Sequence, residues 1–131
     1  MSRHLGLDFG TERIGVAISD EGNVLAFPYT TLANKGKKTE EEIARLCKKE
    51  EIIRIVLGLP TNMSGGDTDM TRLVRAFGAS LLDRGLLVDF ENEMLSSREA
   101  HHGPSKKEHI DAAAAAIILQ SYLDRKRDMV K

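Results

Sequence analysis

Leu5-Gly6-Leu7-Asp8-Phe9-Gly10-Thr11-Glu12-Arg13-Ile14-Gly15-Val16-Ala17-Ile18-Ser19-Asp20 alternates twice. From His4 to Phe9, Leu5, Leu7 and Phe9 share one face and Gly6 and Asp8 the other, the period of a strand. Gly10-Thr11-Glu12 is a turn. Arg13 to Ser19 alternates again, with Ile14, Val16 and Ile18 together. Asp20-Glu21-Gly22-Asn23 is a second turn, and Val24 to Thr31 a third strand, with Pro28 marking an edge or a bulge. Short turns between strands imply an antiparallel meander. Asp8 is the anomaly. It lies near the carboxyl end of a strand expected at the centre of the sheet, where a charge is costly unless paired or bound to metal. A turn-capping Asp before Gly10 is the alternative reading.

Downstream the pattern changes. Thr39 with Glu42 reads as a capping box opening a helix to about Glu50. Ile52 to Leu57 reads as a buried strand ending at Gly58-Leu59-Pro60. Asn62 to Thr68 is a polar loop. Asp69 to Arg84 has helical spacing, ended by Gly85, and Leu86 to Phe90 is a fifth strand. Ser96 with Glu99 predicts a short helix to about His101, broken by Gly103-Pro104. Ser105 with Glu108 opens a long helix to about Arg127. The order βββαβαβαα predicts an α/β fold: a five-stranded mixed sheet of order 3-2-1-4-5 flanked by helices.

With 131 residues, 41% apolar and 30% charged, the chain fits one domain over residues 1–131. The longest apolar run, Ala112 to Leu119, is far short of a membrane span. No secretory signal is visible, so a cytoplasmic location is the expectation. A single cysteine, Cys47, excludes an internal disulfide and a cysteine metal site, and reads as a buried structural thiol. A net charge of −1 counts against tight, nonspecific nucleic-acid binding but allows a local basic patch beside acidic ligands.

Asp111 is a second anomaly. Helical spacing leads from it to Ala114, Ala115, Ile118 and Tyr122, so a carboxylate begins the packed stripe, whose alanines imply close approach to the sheet. A first-turns acid placed for helix stability is the alternative. Glu91 and Glu93 follow the fifth strand, on the same sheet edge as Asp8. The spacing does not choose between them. An Asp on the first strand, an acid after the fifth and an Asp on the last helix form a set that could hold Mg²⁺ or Mn²⁺, because hard cations prefer carboxylate oxygens. Two such ions would activate water and stabilise the leaving oxygen in phosphodiester cleavage.

Four stretches in order resemble the YqgF family, the pre-16S rRNA nucleases also described as Holliday-junction-resolvase-like. They are Leu5 to Asp20, Val56 to Gly65, Asn92 to Ala100 and Ile110 to Leu123. The resemblance implies a ribonuclease H-like fold. It implies a metal-dependent nuclease that trims the 5′ end of the 16S rRNA precursor in a bacterial cytoplasm. It carries the family's acids onto Asp8, Glu93 and Asp111 as catalytic metal ligands, choosing Glu93 over Glu91. Arg75 matches a basic position of the family. It is a candidate phosphate contact, against the alternative of a solvated helix face; Arg13, Arg98, Lys106 and Lys107 are similar candidates. Thr11 and Asn62, in loops on the expected active edge, are candidate substrate contacts. His101-His102, able in principle to ligate metal or carry protons, reads as incidental.

The chain departs from the family in places. Asn92 stands where an Asp is usual, Met94 where an Arg is usual, and Glu12 where a basic residue is usual. The stretch between Glu93 and Asp111 is also shorter. Methionine cannot supply the bidentate phosphate contact of arginine. A noncatalytic nucleic-acid- or ribosome-associated module of the same fold is therefore one alternative, and resolvase-like activity on branched DNA another. Asp8-Phe9-Gly10-Thr11 is also similar to the first phosphate loop of actin-like ATPases, which hold nucleotide between two such domains where this chain supplies one.

Overall fold

Five strands hydrogen-bond in the order β3-β2-β1-β4-β5, as expected. The computed structural model describes residues 2–62, 64–94 and 107–129. The strands are β1 (Arg3–Phe9), β2 (Arg13–Ser19), β3 (Ala26–Ala33), β4 (Ile52–Thr61) and β5 (Val88–Met94). The helices are α1 (Lys37–Lys49), α2 (Asp69–Asp83) and α3 (Lys107–Met129). The meander pairs antiparallel, while β4 lies parallel to both β1 and β5. The short helix expected at Ser96–His101, the Gly103-Pro104 break and Ser105 lie outside the described residues, as do Arg98, Lys106 and His101-His102.

Alternation along β1 and β2 sorts the helices onto two faces. Leu5, Leu7, Ile14 and Val16, with Ile55, Leu57 and Leu59 of β4, pack against Ile43 and Cys47 of α1 and Val74, Phe77 and Leu81 of α2. The opposite face offers Ala17 and Val56 to Ala115, Ile118, Leu119, Tyr122 and Leu123 of α3. Each fully buried Leu or Ile on either face stabilises the fold by roughly 1.5–3 kcal/mol. Burial pushes the Cys47 thiol up to about 11, in keeping with a structural thiol. Among the described residues, no helix is long and apolar enough to cross a membrane.

Four local expectations move. Thr39 does not cap α1, which starts at Lys37 after Gly36. Its hydroxyl instead accepts from the Lys35 N–H at 2.7 Å and donates to the Ala33 carbonyl at 2.7 Å, clasping the chain before the helix. The third strand sits two residues later than expected. Asp20 Oδ1 takes the N–H groups of Val24 and Leu25, which extends the turn and holds the Asp20 carboxyl below its ordinary range. Pro28 does mark a bulge on an edge strand, since the register with β2 shifts between Val16 and Ala17. β4 does not end at Gly58-Leu59-Pro60 but runs to Thr61. Its pairing with β1 stops at Leu57, so beyond that point one side of β4 needs no partner and a proline is accommodated. β5 follows it, running from Val88 to Met94 rather than from Leu86 to Phe90.

Candidate active site

Asp8 faces α3, and the strands on either side of it carry glycines. Gly15 pairs with it directly on β2. On β4, Gly58 directly follows Leu57, the last residue paired with β1. A glycine inside a strand often marks close approach by another group. Here each accounts for one of the other acids. A Cβ on Gly15 would lie 1.9 Å from the Asp111 carbonyl oxygen, so the α3 backbone rests on the residue paired with Asp8. A Cβ on Gly58 would lie 3.1 Å from Glu93 Oε2 and 2.6 Å from Ile118 Cδ1, so the Glu93 carboxylate hangs over this position of β4. A third glycine, Gly6, seats Leu119 and the Ala115 carbonyl one turn further along α3. The alanine stripe foretold close approach of helix to sheet; glycines within the strands, which the pattern reading passed over, complete it.

Asp8, Glu93 and Asp111 thus come from three elements to one face of the sheet, at the carboxyl ends of β1 and β5. Ligands of open α/β sheets bind at such an edge. Asp111 is half-buried and accepts from Arg13 Nε at 2.8 Å. Among the described residues, no three Asp, Glu, His or Cys side chains already form a cage for an ion. The donors are nonetheless carboxylate oxygens only, the chemistry a hard divalent ion selects. The residues fit such an ion.

The structure separates the two β5 glutamates. Both lie within the strand rather than after it. Glu91 is buried, 7% exposed, and is spent on α3: it accepts from Ser121 Oγ at 2.8 Å and from Arg125 Nη2 at 2.6 Å. One pleat earlier, Asp89 accepts from the Tyr122 hydroxyl at 2.8 Å. Burial, then that hydrogen bond, pushes the Tyr122 phenol up to about 12. Glu91 is therefore a strut between β5 and α3, and we expect Glu91→Gln to destabilise the protein by roughly 2 kcal/mol in urea unfolding, because Arg125 loses a charged partner. Cleavage per folded molecule should not change.

The remaining candidates distribute unevenly. Thr11 is exposed in the bend after β1 and Asn62 half-buried just after β4, both at the same sheet edge as Asp8. Asn62 Oδ1 already organises its own loop, accepting the Ser64 and Gly66 N–H groups at 3.0 and 2.7 Å. Arg75 belongs to α2, on the opposite face from α3, and is exposed beside Asp67 at 3.3 Å. Lys107 begins α3. Asn92 pairs with Leu59, whose side chain joins the α1–α2 core, so this departure falls on the other face of β5 from Glu93.

Comparison with known proteins agrees with this architecture. Residues 2–125 match the family model described as RuvX: Holliday junction resolvase. A Maridesulfovibrio salexigens protein named "Putative pre-16S rRNA nuclease" is 37% identical over 131 residues, covering 92% of this chain and 97% of that one. An Anaeromyxobacter dehalogenans protein of the same name is 39% identical over 134 residues, covering 95% and 98%. Among solved structures, T. thermophilus RuvC in complex with Holliday junction substrate superposes with a TM-score of 0.60 at 9% identity, covering 97% of this chain and 96% of that one. Free Thermus thermophilus RuvC gives 0.58 at 12% identity, covering 96% of each. These likenesses show the ribonuclease H-like fold of the resolvases. With a matching family model over almost its full length and relatives above one-third identity, the chain belongs to the RuvX family, the group also called YqgF.

Proposed function

We propose that this protein is a divalent-metal-dependent phosphodiester hydrolase that processes the 5′ end of the 16S rRNA precursor in the cytoplasm. The observation that carries it is the gathering of Asp8, Glu93 and Asp111 on one face of the sheet around two side-chain-free strand positions. The choice of RNA rests on the name shared by relatives 37–39% identical along almost their whole length. Asp8, Glu93 and Asp111 would hold Mg²⁺ or Mn²⁺. Such an ion, when bound, supplies an activated water and neutralises charge on the leaving oxygen.

The chain's own residues do the rest. Asp8 is carried by the central strand, which fixes its backbone relative to the sheet. Glu93 reaches over Gly58, a position whose missing side chain makes room for its carboxylate and for Ile118 of α3. The loops carrying Thr11 and Asn62 border the same edge and would meet the sugar-phosphate backbone. Arg75, exposed on α2, would contact a phosphate further along the strand.

The test is a titration with Mn²⁺ and with Mg²⁺, following cleavage of a 16S precursor 5′ end and, in parallel, a four-way DNA junction. We expect metal-dependent cleavage of the RNA, reduced at least a hundredfold in Glu93→Gln, where a charged ligand becomes a neutral amide. Binding of RNA without turnover under either metal would make the protein a noncatalytic module. Faster cleavage of the junction would make it a resolvase.

A further inference from the structure

Arg13 stands on β2 two residues before Gly15, on the face that α3 covers, and its Nε donates to Asp111 Oδ2 at 2.8 Å. The pair joins positions 98 apart in sequence, and its side chains are 35% and 18% exposed. A permanent cation thus sits on one of the three acids assigned to a metal ion. Guanidinium does not lose its proton in proteins, so the pair cannot be relieved by titration of Arg13. Only a competing cation or anion relieves it.

We propose that Arg13 is the resident counter-cation of Asp111, that it competes with a divalent ion for this carboxylate, and that once displaced it clamps a phosphate of the bound strand. The proposal rests on the reading of Asp8, Glu93 and Asp111 given above. Three physical points carry it. Arg13 and a hard cation seek the same carboxylate oxygens. A unit positive charge held one contact from the carboxylate repels a dication there, and the partly excluded solvent screens that repulsion only in part. A guanidinium that leaves a carboxylate finds matching geometry in a phosphate, which presents paired oxygens to the same fork of donors. The exchange keeps an acidic edge neutral enough to admit a polyanion before metal arrives, and then delivers the displaced charge to that polyanion. A brace that merely orients Asp111 would behave in the opposite sense, because removing it would loosen the ligand and weaken metal binding.

The sign of one measurement separates these roles. Mn²⁺ uptake by the full chain is followed through the electron paramagnetic resonance of the free ion, for wild type, Arg13→Met, Arg13→Gln and Arg13→Lys, each checked for cooperative melting. We expect both neutral variants to bind Mn²⁺ about tenfold tighter than wild type, and Arg13→Lys, which keeps the charge, to stay within about threefold. At saturating Mn²⁺, the neutral variants should bind a single-stranded RNA oligomer more weakly, with a log–log salt slope smaller by about one. Unchanged or weaker Mn²⁺ binding in Arg13→Met and Arg13→Gln would overturn the competition and make Arg13 a brace. An unchanged RNA salt slope would overturn the clamp. If wild type itself takes up no Mn²⁺, the three-acid reading fails first and this one with it. A wild type that binds Mn²⁺ beside neutral variants that bind no tighter sinks this proposal alone.

Discussion

Asp8→Asn is expected to lower metal-dependent cleavage by roughly a thousandfold, equivalent to about 4 kcal/mol of barrier, while leaving the fold intact. The substitution is nearly isosteric and keeps an oxygen in place. What it removes is the negative charge that would draw a hard cation to the central strand, at the position paired with Gly15. Glu93 and Asp111 cannot take over, because the first hangs above Gly58 and the second is held through α3 above Gly15. The unfolding midpoint should stay within roughly 3 °C of wild type, since no packing is lost. Single-turnover cleavage of a 16S precursor end, with thermal melting of the same preparations, checks both halves. Equal residual cleavage by wild type and Asp8→Asn would show that the activity does not depend on this acid.

Gly15→Ala is expected to be the most damaging glycine-to-alanine change among the described residues. The new Cβ would fall 1.9 Å from the Asp111 carbonyl oxygen and 2.3 Å from its carbon, both backbone atoms of α3. No rotamer change relieves such a clash; the helix itself must lift from the sheet. Lifting it strips contacts from Ala115, Ile118 and Leu119, which are buried against the same face. We expect a loss of about 3 kcal/mol, at the upper end of overpacking costs, and a melting temperature lower by roughly 10 °C. Gly22→Ala is the control, because a Cβ there meets nothing closer than 3.7 Å. Calorimetry of the two variants decides it. A Gly15→Ala protein as stable as Gly22→Ala would mean that α3 does not sit on β2 as described.

The two results bear on how far the chain could be read before its structure was known. Period-2 alternation in Leu5–Ser19 sufficed for the meander, and the later helix and strand patterns for the strand order. Burial on one face per strand is a local property that the side-chain period reports directly. Asp8 was legible for the same reason, as a charge breaking an otherwise apolar strand. Strand ends were less legible. Pro60 reads as a stop, yet β4 continues through it, because whether a proline is tolerated depends on which neighbouring strand still needs its N–H. Thr39 reads as a cap, yet its hydroxyl reaches back to Lys35 and Ala33.

By itself, the sequence determined the class of fold and the strand order; with the family resemblance it also nominated Asp8, Glu93 and Asp111 as the acids of the proposed site. Only the tertiary structure showed what Glu91 does instead, as a strut to α3. Glu91 and Glu93 are two residues apart and share a face, so no local pattern separates them. Ser121 and Arg125 on α3, which bind Glu91, lie 30 and 34 residues downstream of it. The same holds for Arg13, whose local signal is a basic residue after a turn and whose partner lies 98 positions away. Alternation fixes what a strand shows to each side. Which distant element comes to meet it depends on helix–sheet packing, and here on the glycines that let α3 come close enough to bring Asp111 beside Asp8.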